Sequence, residues 1–333
     1  MFEVQKRNGV ARVGKWLLKE QNKEVTTPNI LFFAGQGITP PKEAEFLISE
    51  EDIPDNKPYI LSTPGLFMEP RGGVSDYSVS PSLIYPPSQV ELNAYAAKIN
   101  KDVFSGKLFV VSGKDEAVTS ALEGVKAEMY LLANALQLVR KPKSFVNTLV
   151  NLRKAVGYQR LIYTPGLGSP HHIALLVYCG VDLFDSASSL LNARLGNYLT
   201  AQGKVNRDEM AEDFCFCPSC VGGKRDYESI LGHNYYASLA ELRTVRNAIR
   251  SGGLRELVET RVRSEPQMVS ILRILDTHHY SFLEKYFPIT GGQMIASSSE
   301  SLTRPEIVRF RERVKERYKK TPYPKILLLL PCS

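Results

Sequence analysis

Residues 160–188 read RLIYTPGLGSPHHIALLVYCGVDLFDSAS. The stretch opens with RLIYTPG (160–166), an apolar run stopped by Pro165 and Gly166, as a buried strand should be. A helix-length apolar segment over 170–179 follows, then a short second strand, VDLFD (181–185). Strand, helix and strand in this order form a βαβ unit, and repeated βαβ units build a parallel sheet.

Toward the N-terminus the same form recurs. NILFFAGQG (29–37), YILSTPGLF (59–67) and KLFVVSG (107–113) are apolar runs closed by small residues. FEVQ and ARVGKWLL, on either side of Asn8-Gly9, read as opening strands. Residues 68–90, rich in Pro, Ser and Gly, read as a long loop. Val118, Leu122, Val125, Met129 and Leu132 give residues 115–140 a helical period, and SFVNTLVNLRKAV (144–156) is a further helix. The expected class is α/β with a parallel sheet. STPG, YTPG and LFDS, the segments with functional character, all fall at C-terminal strand ends, so a TIM (β/α)8-type barrel is expected rather than an open sheet.

Beyond residue 200 the character changes. DFCFCPSC (213–220) places Cys215, Cys217 and Cys220 in a C-x-C-x-x-C pattern around Pro218. Three thiolates converging on one point suit a zinc ion, which takes four soft or borderline ligands. Of the five histidines, His233 opens the next amphipathic helix and is the best fourth ligand; all four positions filled by protein would make the site structural. The doublets His171-His172 and His278-His279 could form a second site, but doublets on helices are more often polar surface. Glu228–Arg250 is strongly helical, with Leu231, Tyr235, Leu239, Leu242, Val245 and Ile249 on one face, and Ser251-Gly252-Gly253 stops it. LRELVETRVR (254–263) starts another helix. RPEIVRFRERVKERYKK (304–320) is a basic amphipathic helix, and PKILLLLPCS (324–333) is a buried-type strand. A strand of that kind with nothing after it leads us to expect a partner that supplies the rest, or a longer parent chain.

Composition bounds these readings. The 333 residues are 43% hydrophobic and 23% charged, ordinary globular proportions, with a net charge of +7 that modestly favours an acidic partner. Five cysteines, three of them crowded together, do not form a disulfide framework. The N-terminus lacks the apolar core of a signal peptide, and no apolar run, Ile326–Leu330 included, approaches the roughly 20 residues that span a bilayer. A cytoplasmic protein without a membrane partner is expected.

GVDLFDSAS (180–188), CFCPSC (215–220) and HNYYASLAELRTVRNAIRSGGLRELVETR (233–261) resemble the archaeal branch of the tRNA-guanine transglycosylase family. KRNGVARVGK (6–15) and LIYTPGLGSPHHI (161–173) fit where that family has its opening strands and a Gly-rich strand end. The likeness covers residues 1 to about 290. It implies a TIM barrel with an inserted zinc-binding subdomain, at about 205–265, that exchanges a base in tRNA through a covalent aspartate intermediate. By position, Asp185 matches the nucleophile, and Cys215, Cys217, Cys220 and His233 match the zinc ligands.

The chain also departs from that pattern. Where the family has D-S-G-x-F-Q, this sequence has Ser62-Thr63-Pro64-Gly65-Leu66-Phe67-Met68. Thr63 replaces the proton-shuttling aspartate, and a hydroxyl does not do a carboxylate's proton chemistry near neutral pH. Glu69 or Asp76 could take over the acid role. The family's Gly-Gly aligns with Ala133-Asn134, whose Cβ atoms would crowd a flat base. The C-terminal RPEIVRFRERVKERY…KILLLLPCS resembles the archaeosine-synthase branch, which adds lysine to the nitrile of 7-cyano-7-deazaguanine in tRNA. That chemistry leaves the glycosidic bond intact. The likeness implies tRNA as partner, lysine as co-substrate, an incomplete C-terminal domain in 291–333 and a homodimer.

Each site residue then has two readings. Cys332 is a thiolate that adds to the nitrile, or a small apolar residue at a strand end. Asp185 is a nucleophile, or a brace for the barrel rim. Thr63, Gly65, Gly166 and Gly168 line the substrate pocket, or the glycines simply turn the chain. Arg194, Lys204, Lys224 and Arg225 track an RNA backbone, or are isolated surface cations. Two further functions stay open: an active transglycosylase using Asp185, and a non-catalytic tRNA-binding subunit.

Overall fold

The computed structural model describes residues 2–35, 37–49, 57–62, 78–79, 107–112, 122, 125–288 and 294–319. Three antiparallel strands open the chain: β1 (Phe2–Asn8), β2 (Ala11–Leu18) and β3 (Lys23–Thr27). The parallel sheet that follows takes β4 (Asn29–Ala34), β5 (Leu47–Ser49), β6 (Tyr59–Ser62), β7 (Ser78–Val79), β8 (Leu108–Val111), β9 (Met129–Leu132), β10 (Leu161–Tyr163) and β11 (Leu183–Asp185). Its order is β7-β6-β5-β4-β11-β10-β9-β8, so each strand lies beside its sequence neighbour and the last strand pairs with the first. That is the order of a sheet wound around an axis.

The side chains show the winding. Alternate residues of a strand face opposite ways. Ile30, Phe32, Leu47, Tyr59, Tyr130, Leu132, Ile162 and Phe184 join the outer core beneath the helices. The other set, Leu31, Ile48, Ile60, Leu108, Val110, Met129, Leu131, Leu161, Tyr163 and Leu183, forms a second core. The described members of that inner core come from strands or from residues beside them, Phe46 just before β5 and Ala133 just past β9, and Trp16, Leu18 and Val25 of the opening sheet complete it. Among the described residues no helix contributes to that face, so the strands bury it against one another and against the opening sheet, and the sheet curls.

The helices on the outer face are α1 (Ala135–Leu138), α2 (Pro142–Val156), α3 (Pro170–Tyr178) and α4 (Ala187–Arg194). A hairpin, β12 (Asn197–Thr200) with β13 (Gly203–Asn206), leads to the long α5 (Tyr227–Ser251). Asp226 caps α5, its carboxylate accepting from the Ser229 N–H at 2.9 Å, and Gly252 ends it in the left-handed conformation with φ 87°. Then come α6 (Leu254–Arg261), α7 (Pro266–His278), α8 (Tyr280–Glu284) and α9 (Pro305–Arg317). A buried polar cluster seats the segment before α9. Arg255 reaches Asp276 at 2.6 Å and the Glu300 carbonyl at 2.9 Å, and Arg304 reaches Glu256 at 2.7 Å.

Two expectations fail here. Met129–Leu132 is a central strand, not the end of a helix over 115–140. MYLL is buried at all four positions, and so short an apolar run carries no period that separates helix from strand. Ser78–Val79, inside the expected loop 68–90, pairs in parallel with β6. The rest of both stretches falls mainly outside the described residues, as does the strand expected at 324–333.

The clamp that aligns β10 and β11 is Asp182. Its carboxylate accepts from Arg12 Nε and Nη2 and from Arg153 Nη2, all at 2.9 Å, and from the Ile162 N–H at 2.9 Å. Burial alone would push this carboxyl up, but the two guanidiniums and the amide outweigh it and hold it below the ordinary value. Asp182→Asn leaves two buried guanidiniums without their counter-charge. It is expected to destabilise the fold by about 3–5 kcal/mol, read as a lower denaturant midpoint. Because the folded-state value is depressed, the carboxylate's contribution is full above about pH 4 and is lost as the pH falls below that. The variant's stability should therefore vary less than wild type between about pH 5 and pH 2. A variant with unchanged midpoint and acid profile would show that Asp182 is no clamp.

Candidate active site and metal centre

Asp185 ends β11 and belongs to the inward-facing set, two residues beyond Leu183. It is fully buried. Tyr163, at the end of β10, donates its hydroxyl to Oδ2 at 2.7 Å. The Gly166 N–H donates to the same oxygen at 3.0 Å and the Ala187 N–H to Oδ1 at 3.0 Å. Burial raises the Asp185 carboxyl above its ordinary value, and these three donors work against that rise. Gly166, with φ 75°, turns the chain so that its amide faces the carboxylate. Gly168 lies so close that a Cβ there would stand 2.1 Å from the Asp185 carbonyl oxygen. The two glycines thus wrap a loop around Asp185. Sequence reasoning found the aspartate and the glycines but missed Tyr163, which a reading of RLIYTPG as a plain apolar run conceals. Ala133 and Asn134 follow β9 and are buried. Thr63, Gly65 and Cys332 lie outside the described residues, with Glu69 and Asp76.

The second constellation gathers as expected. Cys215, Cys217, Cys220 and His233 present ligand atoms that all lie within 4.8 Å of one another. Cys217 Sγ is 3.5 Å from Cys220 Sγ, and His233 Nδ1 is 3.8 Å from Cys217 Sγ and 3.5 Å from Cys220 Sγ. Metal–sulfur and metal–nitrogen bonds of about 2.3 and 2.0–2.1 Å, set tetrahedrally, separate the donors by about 3.6–3.8 Å. The cluster has the dimensions of such a site and could hold a metal ion.

Local structure explains the convergence. The Cys220 N–H donates to the Cys217 carbonyl at 2.9 Å, closing a tight turn, and the Cys217 N–H points at Cys215 Sγ at 3.4 Å. Gly232 lets this turn rest on α5, because a Cβ there would meet Ser219 Oγ at 2.1 Å. His233 Nε2 donates to the Leu199 carbonyl at 3.0 Å, which leaves Nδ1 to face the sulfurs. The next residue, Asn234, accepts from the Leu199 N–H at 2.7 Å. Adjacent side chains of α5 therefore hold both backbone groups of one hairpin residue. Tyr198 and Phe214 pack edge-on against the His233 ring at 5.0 and 5.7 Å. Of the four cations named from the sequence, Arg194, Lys204 and Lys224 are exposed, whereas Arg225 pairs with Asp213 at 2.9 Å.

His171 and His172 do not form polar surface, as expected of them; His171 is fully buried. Both Nε2 atoms face Glu265, at 3.2 and 3.1 Å. The doublet opens α3 while Glu265 immediately precedes α7, ninety-odd positions along the chain, so only tertiary structure brings them together. His278 remains exposed and His279 meets Asn147 at 2.8 Å.

The fold and these sites define an α/β protein with a buried strand-end carboxylate and a Cys3His cluster. Residues 114–267 match the model of the TGT family, described as queuine tRNA-ribosyltransferase. The chain is 30% identical to the archaeosine synthase subunit alpha of Methanosarcina acetivorans, across all of this chain and 54% of the relative. It is 29% identical to the archaeosine synthase of Haloferax volcanii, across all of this chain and 52% of that protein. To the tRNA-guanine(15) transglycosylase of M. acetivorans it is 34% identical over 60% of this chain and 42% of the relative. The chain thus spans about half the length of the archaeosine synthases it matches. Among the described residues no helix is long and apolar enough to cross a membrane.

Two outcomes test this geometry. Gly168→Ala must displace the Asp185 loop and is expected to cost about 1–3 kcal/mol, measured by thermal or denaturant unfolding. Cys220→Ser should abolish stoichiometric metal binding at the Cys3His cluster and lower the melting temperature; full metal content in that variant would show that the cluster is not the site.

Proposed function

We propose that this chain is the transglycosylase-like part of an archaeosine-type, tRNA-modifying transferase. Its reaction is the addition of lysine to the nitrile of 7-cyano-7-deazaguanine already placed in tRNA. The observation that carries this reading is coverage. The M. acetivorans archaeosine synthase subunit alpha aligns along the whole chain, whereas the transglycosylase from the same organism aligns along 60% of it. The environment of Asp185 supports the same choice. Each oxygen of this carboxylate already accepts hydrogen bonds and the residue is fully buried, a setting that braces a loop better than it frees a nucleophile.

In this reading the curled sheet closes as a (β/α)8 barrel, with residues 1–290 as the barrel, about 205–265 as its metal subdomain and 291–333 as the start of a further domain. Zinc fills the Cys215, Cys217, Cys220 and His233 site and supplies only structural cross-linking, because all four positions are taken by protein. Thr63, Gly65, Gly166 and Gly168 line the base pocket, and exposed Arg194, Lys204 and Lys224 meet phosphates. Cys332 adds as thiolate to the nitrile carbon, the nitrile nitrogen taking up a proton. The lysine amine then attacks the thioimidate and the thiolate leaves, giving the amidine. A partner subunit acts with the chain on tRNA, and the assembly is a cytoplasmic homodimer.

The test is mass spectrometry of nitrile-bearing tRNA incubated with the chain and lysine. A gain of one lysine, lost in Cys332→Ser and kept in Asp185→Asn, is expected. A second reading, base exchange with Asp185 as nucleophile, is favoured by the position of Asp185 at a strand end in the inward-facing set. It predicts incorporation of labelled guanine that Asp185→Asn abolishes, and that result would overturn the synthase proposal. Tight tRNA binding without either reaction, with turnover restored by a partner, would mark a binding subunit instead.

A further inference from the structure

We infer that His171, His172 and Glu265 form a second metal site, separate from the Cys3His cluster and suited to a divalent first-row transition ion such as zinc. The inference is independent of the reaction proposed above.

The donors converge. His171 Nε2 stands 3.2 Å from Glu265 Oε1 and His172 Nε2 stands 3.1 Å from Oε2. One ligand atom from each of the three residues lies within 4.8 Å of the others. Neighbouring residues on a helix normally diverge, yet here the two rings meet edge-on with centroids 4.1 Å apart and aim the same nitrogen at one carboxylate.

His171 supplies the second, separate observation. Its side chain is completely buried, and among the described residues neither ring nitrogen finds a hydrogen-bond partner. The approach of Nε2 to Glu265 is close but too poorly aimed to be a hydrogen bond. A buried polar nitrogen without a partner is costly, so a ligand for it would be favoured. A cation between the two imidazoles and the carboxylate gives that nitrogen a ligand bond.

The donor set defines the ion. Two imidazoles and one carboxylate suit zinc and its first-row neighbours rather than calcium or magnesium, which prefer oxygen. Three protein ligands leave at least one position for water, and Glu265, about a third exposed, gives the ion a route in. Among the described residues, Lys204 adds a positive charge that is felt at His172. Placement gives the site a use. The doublet opens α3 directly after the Gly166–Ser169 turn that holds Asp185, and Glu265 leads into α7. An ion here ties the Asp185 loop to the C-terminal helices.

The test uses the full chain, stripped with chelator and reconstituted with zinc. Wild type should hold about two equivalents per chain. His172→Ala and Glu265→Gln should each hold about one, and so should Cys220→Ser. Circular dichroism checks that each variant is folded. A cobalt titration of wild type gives a readout that needs no variant. Two phases are expected, one with the thiolate-to-cobalt charge-transfer band of the cysteine cluster and one without it. A single thiolate phase, or unchanged zinc content in folded Glu265→Gln, would overturn the proposal and leave a carboxylate–histidine contact only.

Discussion

The interaction on which the structure turns is the buried Asp182 carboxylate between Arg12 and Arg153. β10 and β11 are three residues each and share a single registered pair, Tyr163 with Leu183. So short a ladder does not fix its own register. Asp182 lengthens it: its N–H donates to the Ile162 carbonyl at 2.9 Å while its side chain accepts from the Ile162 N–H. Arg12 comes from the opening antiparallel sheet and Arg153 from α2, so one carboxylate joins three layers. Removing the carboxylate would leave both guanidiniums stranded in a low-dielectric interior.

Register at the start of β11 decides what happens at its end. A slip of one residue would turn Asp185 away from the interior and break its contacts to Tyr163, Gly166 and Ala187. Two aspartates three positions apart therefore divide the work. Asp182 fixes the strand at one end, and Asp185 gathers the Gly166–Gly168 loop at the other.

α5 carries the constraint outward. Near its start, His233 and Asn234 hold Leu199 of the hairpin and aim one nitrogen at the three sulfurs. Further along, buried Arg246 donates to the Pro28 and Thr26 carbonyls, both at 2.9 Å, and to Glu45 at 2.8 Å. The Cys3His cluster is thus seated on the same helix that braces the entry to β4. The cluster is an extension of the fold, not an appendage on a loop.

The sequence by itself determined the βαβ rhythm, the long α5 with its Gly252 stop, and the Cys3His set, because each rests on local spacing: apolar runs closed by Pro or Gly, a 3.6-residue period, three cysteines within six positions. It misread Met129–Leu132, where four buried apolar residues carry no period, and His171-His172, whose partner lies far along the chain. Tertiary structure alone decided which alternate residues face the inner core, that Asp182 meets two arginines and that Asp185 meets Tyr163. Those outcomes depend on strand register and on contacts between residues up to 170 positions apart, such as Arg12 with Asp182, and no local pattern encodes them.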